Sequence, residues 1–275
     1  MTQIISGQPS VINAKLPFFS FPFSFILIIA MEKPYKYIAK YFDLLMPDFW
    51  YRKWFNFVKK ILRQKKINPA LIIDAGCGTG RLTKLLAALG PVIGFDRSAE
   101  MLKIARKKYP HIKFINKSFL DFCLPDEKRA DLIVCAFDSL NYTSTATELR
   151  QIFKNFYNNT RKGGYLLFDL NGEKAFAWNK KLIKNTRIFK FDSTTVIWKN
   201  YFYPRRWKAI FEIQKPTKKG KAVVFTEQHE EFYYSSKTIL KILSETGFLH
   251  SRAYRDTAFH RPGKKNKRYF FVAQK

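Results

Sequence analysis

The sequence predicts an α/β protein built on a doubly wound, mostly parallel seven-stranded sheet, with an antiparallel β meander inserted late in the chain. Three observations predict it. Between residues 69 and 173, short apolar runs alternate with helical stretches of the length that covers a parallel sheet. The first of those runs leads straight into a glycine-rich turn, Asp74-Ala75-Gly76-Cys77-Gly78-Thr79-Gly80. From 186 to 234 the texture changes to strands rich in Thr, Val, Tyr and Phe with no helix between them.

The elements follow in order. Tyr37, Ile38, Tyr41, Leu44 and Leu45, then Trp54, Phe57, Val58, Ile61 and Leu62, recur at three- and four-residue spacing, which predicts two amphipathic helices broken near Pro47. Leu71–Ile73 is a buried strand ending at Asp74, and Arg81–Leu89 a helix stopped by Gly90-Pro91. Val92–Phe95 forms a second strand running into Asp96, and Ser98 caps a helix over 99–109. Strands at 113–116 and 131–136, a helix from Thr147 to Asn159 and a strand at 165–170 complete five strands, so a ligand belongs at their C-terminal ends. The meander has strands at 188–192, 195–203, 208–214 and 222–234, with the turn Lys218-Lys219-Gly220. A helix over 237–246 capped by Ser236, and strands near 250–255 and 269–273, close the chain and bring the main sheet to seven.

This divides the chain into an apolar extension at 1–30, a core at 31–185, the meander at 186–234 and a closing segment at 235–275. Residues 16–31, LPFFSFPFSFILIIAM, are too short to span a bilayer, which takes about 20 residues, and Pro17 and Pro22 interrupt them. The expectation is an unstructured extension, or a start of translation at Met31, and no stable membrane anchor. The net charge is +29, with +17 of it over 174–275. That raises RNA as a partner, while a lysine-rich solvated surface accounts for most of it. Cys77, Cys123 and Cys135 make neither a disulfide framework nor a metal pair, which points to a reducing, cytoplasmic setting and no metal.

The glycine-rich turn is the site the sequence advertises. Glycines at alternate positions let the backbone turn tightly and come close to a ligand, and the next helix offers its N-terminal amides. Asp96, ending the second strand, stands where a carboxylate accepts hydrogen bonds from a ribose diol. The third glycine comes one residue too early for a dinucleotide fingerprint, and Lys84 lies outside a P-loop context, so phosphate binding is not indicated. Asp74, Asp96, Asp138 and Asp169 all fall at expected C-terminal strand ends, a grouping of acids that stands out in so basic a chain.

These segments resemble the motifs of the class I S-adenosylmethionine (SAM) dependent methyltransferases, whose first motif is commonly D-x-G-C-G-T-G. The resemblance takes in Gly94–Ser98 with Met101-Leu102, Ser118-Phe119 with Asp121-Phe122, Phe137–Tyr142 and Lys162–Gly164, and covers most of 35–173. It implies the Rossmann-like methyltransferase fold, with S-adenosyl-L-methionine as cofactor. It also implies that Gly76, Cys77, Gly78 and Gly80 pass beneath the methionine part, and that Asp74 orients the loop and the amino group. Asp96 would hold the ribose hydroxyls, Arg97 or Met101 would pack near the adenine, and Ser118 and Phe119 would lie at its edge. Phe137 and Asp138 would face the methyl donor.

Methyl transfer from a sulfonium needs positioning more than covalent help. A base is needed only for a hydroxyl or a protonated amine, and Asp138 and Tyr142 are the candidates. Tyr37 and Tyr41, as a lid, and Asn141 are the candidate acceptor contacts. The four histidines are read as peripheral. The meander resembles the sheets appended to small-molecule methyltransferases, so the expected function is N- or O-methylation of a small molecule. The alternatives are an RNA methyltransferase using Arg205-Arg206, Lys218-Lys219, Lys264-Lys265 and Lys267-Arg268 as its phosphate footprint, or a catalytically silent SAM- or RNA-binding module.

Overall fold

The computed structural model describes residues 27–28, 32–125, 127–177, 185–216, 222–263 and 266–275. Its main sheet contains β2 (Ile72–Ala75), β3 (Val92–Asp96), β4 (Lys113–Asn116), β5 (Ala130–Cys135), β6 (Thr160–Asn171), β11 (Leu249–Tyr254) and β12 (Arg268–Gln274), in the order β11-β12-β6-β5-β2-β3-β4. Strands β6-β5-β2-β3-β4 run parallel, and β12 lies antiparallel to both neighbours. The order reverses between β2 and β5, which opens a crevice beyond their C-terminal ends.

Side chains alternate across the central strands, so each face has its own core. Ile73, Ile133, Leu166 and Phe271 pack under α5 (Ala146–Asn159) and α7 (Ser236–Glu245). Ile72, Leu132, Leu167 and Val272 pack under α2 (Asp48–Lys65) and α3 (Arg81–Leu86). Pro47 is the N-cap of α2 and separates it from α1 (Ala39–Leu45), as expected. Ser98 caps α4 (Ala99–Lys108) by accepting from the Met101 N–H at 3.3 Å. Several boundaries differ from expectation: β6 begins at Thr160 rather than at 165, taking in Lys162–Gly164, and a short helix, α6 (Glu173–Ala177), follows it. The α7 cap is Ser235 rather than Ser236, and α3 ends at Leu86, where its last turn tightens toward Gly90.

The second sheet holds β7 (Asn185–Phe191), β8 (Thr194–Tyr203), β9 (Arg206–Pro216) and β10 (Ala222–Phe232), an antiparallel meander, with β1 (Leu27–Ile28) parallel to β10. Those two residues belong to the stretch expected to be an unstructured extension, and the rest of 1–30, like Lys218-Lys219 and Lys264-Lys265, lies outside the described residues. One face of the meander is covered by residues 35–45, through Ile38 and Tyr41 against Phe189, Val196 and Phe211. None of the described helices is long and apolar enough to cross a membrane.

Candidate active site

Two cavities lie beyond the sheet's C-terminal edge. The first is built by the turn after β2. Gly76, Gly78 and Gly80 have φ of +73°, +53° and +79°, a region costly for any residue with a Cβ. A Cβ on Gly76 would lie 3.1 Å from Ser139 Oγ and 3.3 Å from Phe119 Cζ, filling the cradle. Asp96 locks the turn: its two carboxylate oxygens accept from the N–H groups of Gly78 (2.9 Å) and Ser98 (2.8 Å). Each oxygen keeps a second lone pair for a diol. Asp74 is buried and accepts from Thr83 Oγ1 at 2.6 Å; burial pushes its carboxyl up to about 7. Burial also raises Asp96.

Cys77, Arg97, Met101, Ser118, Phe119 and Phe137 line this cavity with Asp74, Gly76, Gly78, Asp96 and Tyr142. Gly80 does not. Its missing Cβ makes room for Phe114 Cζ, 2.8 Å from where that carbon would be, so it serves close packing against β4. Ser118 lines the cavity, but its hydroxyl donates to Asp121 at 2.5 Å and accepts from two backbone N–H groups, which commits it to the turn. The N-terminal helices brace the site from outside: Thr79 Oγ1 donates to Asp43 at 2.6 Å, and Arg81 donates to the Met46 carbonyl at 2.7 Å.

The segment after β5 divides the two cavities. Phe137 and Asp138 both adopt left-handed backbone, φ +61° and +52°, strained for residues with a Cβ. The turn sends Phe137 into the first cavity, against Tyr51, and Asp138 into the second. Asp138 therefore faces the larger neighbouring space and not the first cavity. Arg268 Nη2 donates to it at 2.7 Å and Asn171 Nδ2 at 2.8 Å. Asn171 Nδ2 also reaches Glu231 at 2.7 Å, and Arg268 pairs with fully buried Asp169 inside β6. Burial and the nearby Asp138 carboxylate hold the Glu231 carboxyl well above its usual range. Arg268, expected to reach a phosphate backbone, is thus turned inward onto two carboxylates.

The second cavity, about 730 Å³, lies between the core and the meander. Trp198, Trp207 and Phe176 form aromatic wall, Asp138 and Glu231 supply carboxyls, and Lys53, Arg187 and Arg255 supply positive charge. Three candidate acceptor contacts are not there. Tyr37 packs on Phe225, and Tyr41 stacks on Phe191 and donates to Thr194 at 3.3 Å, both in the core between α1 and the meander. Asn141, wholly buried, donates to the Phe232 carbonyl at 2.8 Å and accepts from the Asn171 N–H at 2.9 Å, tying β10 to β6.

Tyr142 lines the first cavity beside Tyr35, which sequence reasoning passed over. Its hydroxyl lies 2.8 Å from Tyr35 Oη and 2.8 Å from His229 Nδ1, and Arg97 sits 5.5 Å over its ring. Burial pushes the Tyr142 phenol far up. His229 is buried, not peripheral.

A methyltransferase-domain family model matches residues 72–164, the stretch that carries the glycine turn, Asp96 and the Phe137–Tyr142 segment. A relative from Geobacillus sp. (strain WCH70), whose name describes a methyltransferase, is 30% identical over 88% of this chain and 99% of its own length. The chain belongs to the class I SAM-dependent methyltransferases. Among solved structures, this methyltransferase is similar to a SAM-dependent methyltransferase from Clostridium acetobutylicum, with TM-score 0.70 and 22% identity over 86% of this chain and 95% of that one. It is also similar to the sugar N-methyltransferase KedS8 from Streptoalloteichus, with TM-score 0.67 and 16% identity over 82% and 87%. SAM is the cofactor, and the residues present fit it: the Gly76 cradle, the open lone pairs of Asp96 and the apolar shelf of Met101 and Phe119 suit a nucleoside without phosphates.

Proposed function

We propose that this methyltransferase transfers the methyl group to a nitrogen or oxygen of a small molecule seated in the larger cavity. The observation that carries this reading is that a cavity of about 730 Å³, a size suited to a small ligand, adjoins the first cavity across the single turn Phe137–Asp138. When bound, SAM supplies an electrophilic methyl group. The chain holds it through Asp96 at the ribose and Asp74 toward the amino group, with Gly76, Cys77 and Gly78 beneath and Arg97, Met101, Ser118 and Phe119 around the base. Phe137 closes the wall beside the reacting centre and excludes water. Asp138 and Glu231 offer carboxyl oxygens to an acceptor N–H or O–H, and the aromatic walls hold its body. The sugar N-methyltransferase likeness agrees with an acceptor of this size. The described cysteines are free, in keeping with a cytoplasmic setting.

The test is incubation with methyl-labelled SAM and size-fractionated cell extract. Label is expected in the low-molecular-mass fraction, and label confined to RNA or protein would remove the reading.

A further inference from the structure

Four buried or cavity-lining side chains form one hydrogen-bonded chain that the proposed reaction has not yet used. Tyr35 Oη lies 2.8 Å from Tyr142 Oη, Tyr142 Oη 2.8 Å from His229 Nδ1, and His229 Nε2 3.3 Å from Glu227 Oε2. Glu227 is fully buried and accepts from the backbone N–H groups of Tyr35 (2.9 Å), Ile38 (2.8 Å) and Tyr37.

That terminus sets the direction of every bond. A carboxylate has no hydrogen to give, so the ring nitrogen facing Glu227, Nε2, carries the proton. His229 is held neutral, because burial opposes its charged form more than Glu227 favours it. Its Nδ1 is then an acceptor, and the partner that donates to it is Tyr142. Having spent its only hydrogen, Tyr142 accepts from Tyr35. Tyr35, having spent its own, presents only lone pairs to the cavity. It does so in the first cavity, which Tyr35 lines with Phe137 and Tyr142 and where an acceptor must come to meet the methyl donor.

We infer that Tyr35-Tyr142-His229-Glu227 is a proton relay whose open end, Tyr35 Oη, takes the proton of the acceptor during methyl transfer. The inference rests on the reading proposed above. As the acceptor's nitrogen or oxygen bonds to the methyl carbon, the carbon–sulfur bond breaks and its electron pair returns to sulfur. The acceptor's proton passes to Tyr35, that of Tyr35 to Tyr142, and that of Tyr142 to His229 Nδ1. The positive charge that began on sulfur ends as an imidazolium beside the Glu227 carboxylate, and the proton leaves to solvent when product departs. The logic is that of a nucleophile–histidine–carboxylate triad, with two phenols standing between histidine and substrate.

The first measurement needs no turnover. In the free protein, 15N NMR of labelled histidine is expected to show His229 as the Nε2–H tautomer with an unprotonated, hydrogen-bonded Nδ1, and Tyr142→Phe to shift the Nδ1 signal. An Nδ1–H tautomer would reverse the chain and overturn the inference. The second uses labelled SAM and the low-molecular-mass extract fraction as acceptor. Tyr35→Phe and Tyr142→Phe, each checked for folding by circular dichroism and assayed at saturating SAM because both side chains line the SAM cavity, should slow transfer about 10²–10⁴-fold, the range of general-base catalysis. A Tyr35→Phe protein that transfers at the wild-type rate, or that loses only SAM affinity, sinks the relay and leaves the small-molecule reading standing. Wild-type protein that labels nothing in that fraction removes the reading itself, and the relay with it.

Discussion

The two cavities share a wall and are made in opposite ways. The first is assembled mainly from short contiguous segments, 74–82, 96–101, 117–120 and 136–143, each leaving the C-terminal end of a neighbouring parallel strand, with Tyr35, Phe42 and Tyr51 added from the N-terminal segment and Glu148 and Ile152 from α5. The second draws one to four residues each from α2, the Phe137–Asp138 turn, β6, the short helix at 173–177, β7, β8, β9, β10, the loop at 255–256 and the stretch 266–270. Backbone builds the first, through glycine φ angles and N–H groups locked by Asp96. Side chains build the second, and its polar wall depends on one cation, Arg268, placed between Asp138 and Asp169. A backbone-built site tolerates variation around it but not at its glycines. A side-chain-built site can change its ligand without changing the fold.

The largest expected effect follows from that dependence. Arg268→Met leaves fully buried Asp169 without its cation and should cost about 3–5 kcal/mol of stability, read by urea or thermal unfolding. Adding Asp169→Asn should recover part of the loss. A loss under about 1 kcal/mol would show that the wall does not rest on this pair.

Next, Asp96→Ala should weaken SAM binding about 10- to 100-fold in calorimetry, the worth of about one hydrogen bond to a charged acceptor. It also frees the N–H groups of Gly78 and Ser98, so unfolding should be measured alongside. Unchanged affinity would refute the placement of the ribose. Two glycines sharpen the contrast further. Gly76→Ala puts a methyl into the cradle and should lower SAM affinity along with about 1–2 kcal/mol of stability, the cost of a left-handed residue with a Cβ. Gly80→Ala collides with the Phe114 ring instead, and its effect should fall on stability alone. Equal SAM losses from the two variants would merge roles that the geometry separates.

The same contrast explains what was legible in the sequence. Gly78 and Asp96 are 18 residues apart in the chain yet bonded, because β2 and β3 are adjacent parallel strands in register. Strand–helix–strand spacing alone places such residues together, and that is why most of the first cavity's lining is legible in the sequence. The spacing of Tyr37 and Tyr41 marks an apolar helix face but does not say what that face meets; it meets the meander and not the acceptor. Tyr35, the tyrosine that reaches the cavity, precedes the helix in a left-handed turn (φ +65°) that no periodicity reveals. Glu227, His229 and Glu231 did carry a signal: polar residues at alternate positions of a strand share one face, and in β10 that face is buried. Their partners, Tyr142 and Asn171, are about 60 to 90 positions away, beyond the reach of a pattern.

The smallest expected effect concerns Asp74 and tests the backbone-built side. Its carboxyl titrates at about 7 in the folded protein, above the ordinary carboxyl range, because it is buried with one hydroxyl donor. Between about pH 4 and 7 the folded state therefore holds a proton that the unfolded chain has released. Stability of the free protein should fall as pH rises through that window and level off above it. A cation placed beside Asp74, such as the amino group it is proposed to orient, favours the ionised form. SAM binding near pH 6.5 should thus release protons, and affinity should rise by up to about tenfold per pH unit until the carboxyl is ionised, then flatten. Calorimetry in two buffers of different ionisation enthalpy measures the released protons directly. Asp74→Asn should abolish the release, whereas proton uptake on binding, or release unchanged in Asp74→Asn, would move the amino group away from this residue.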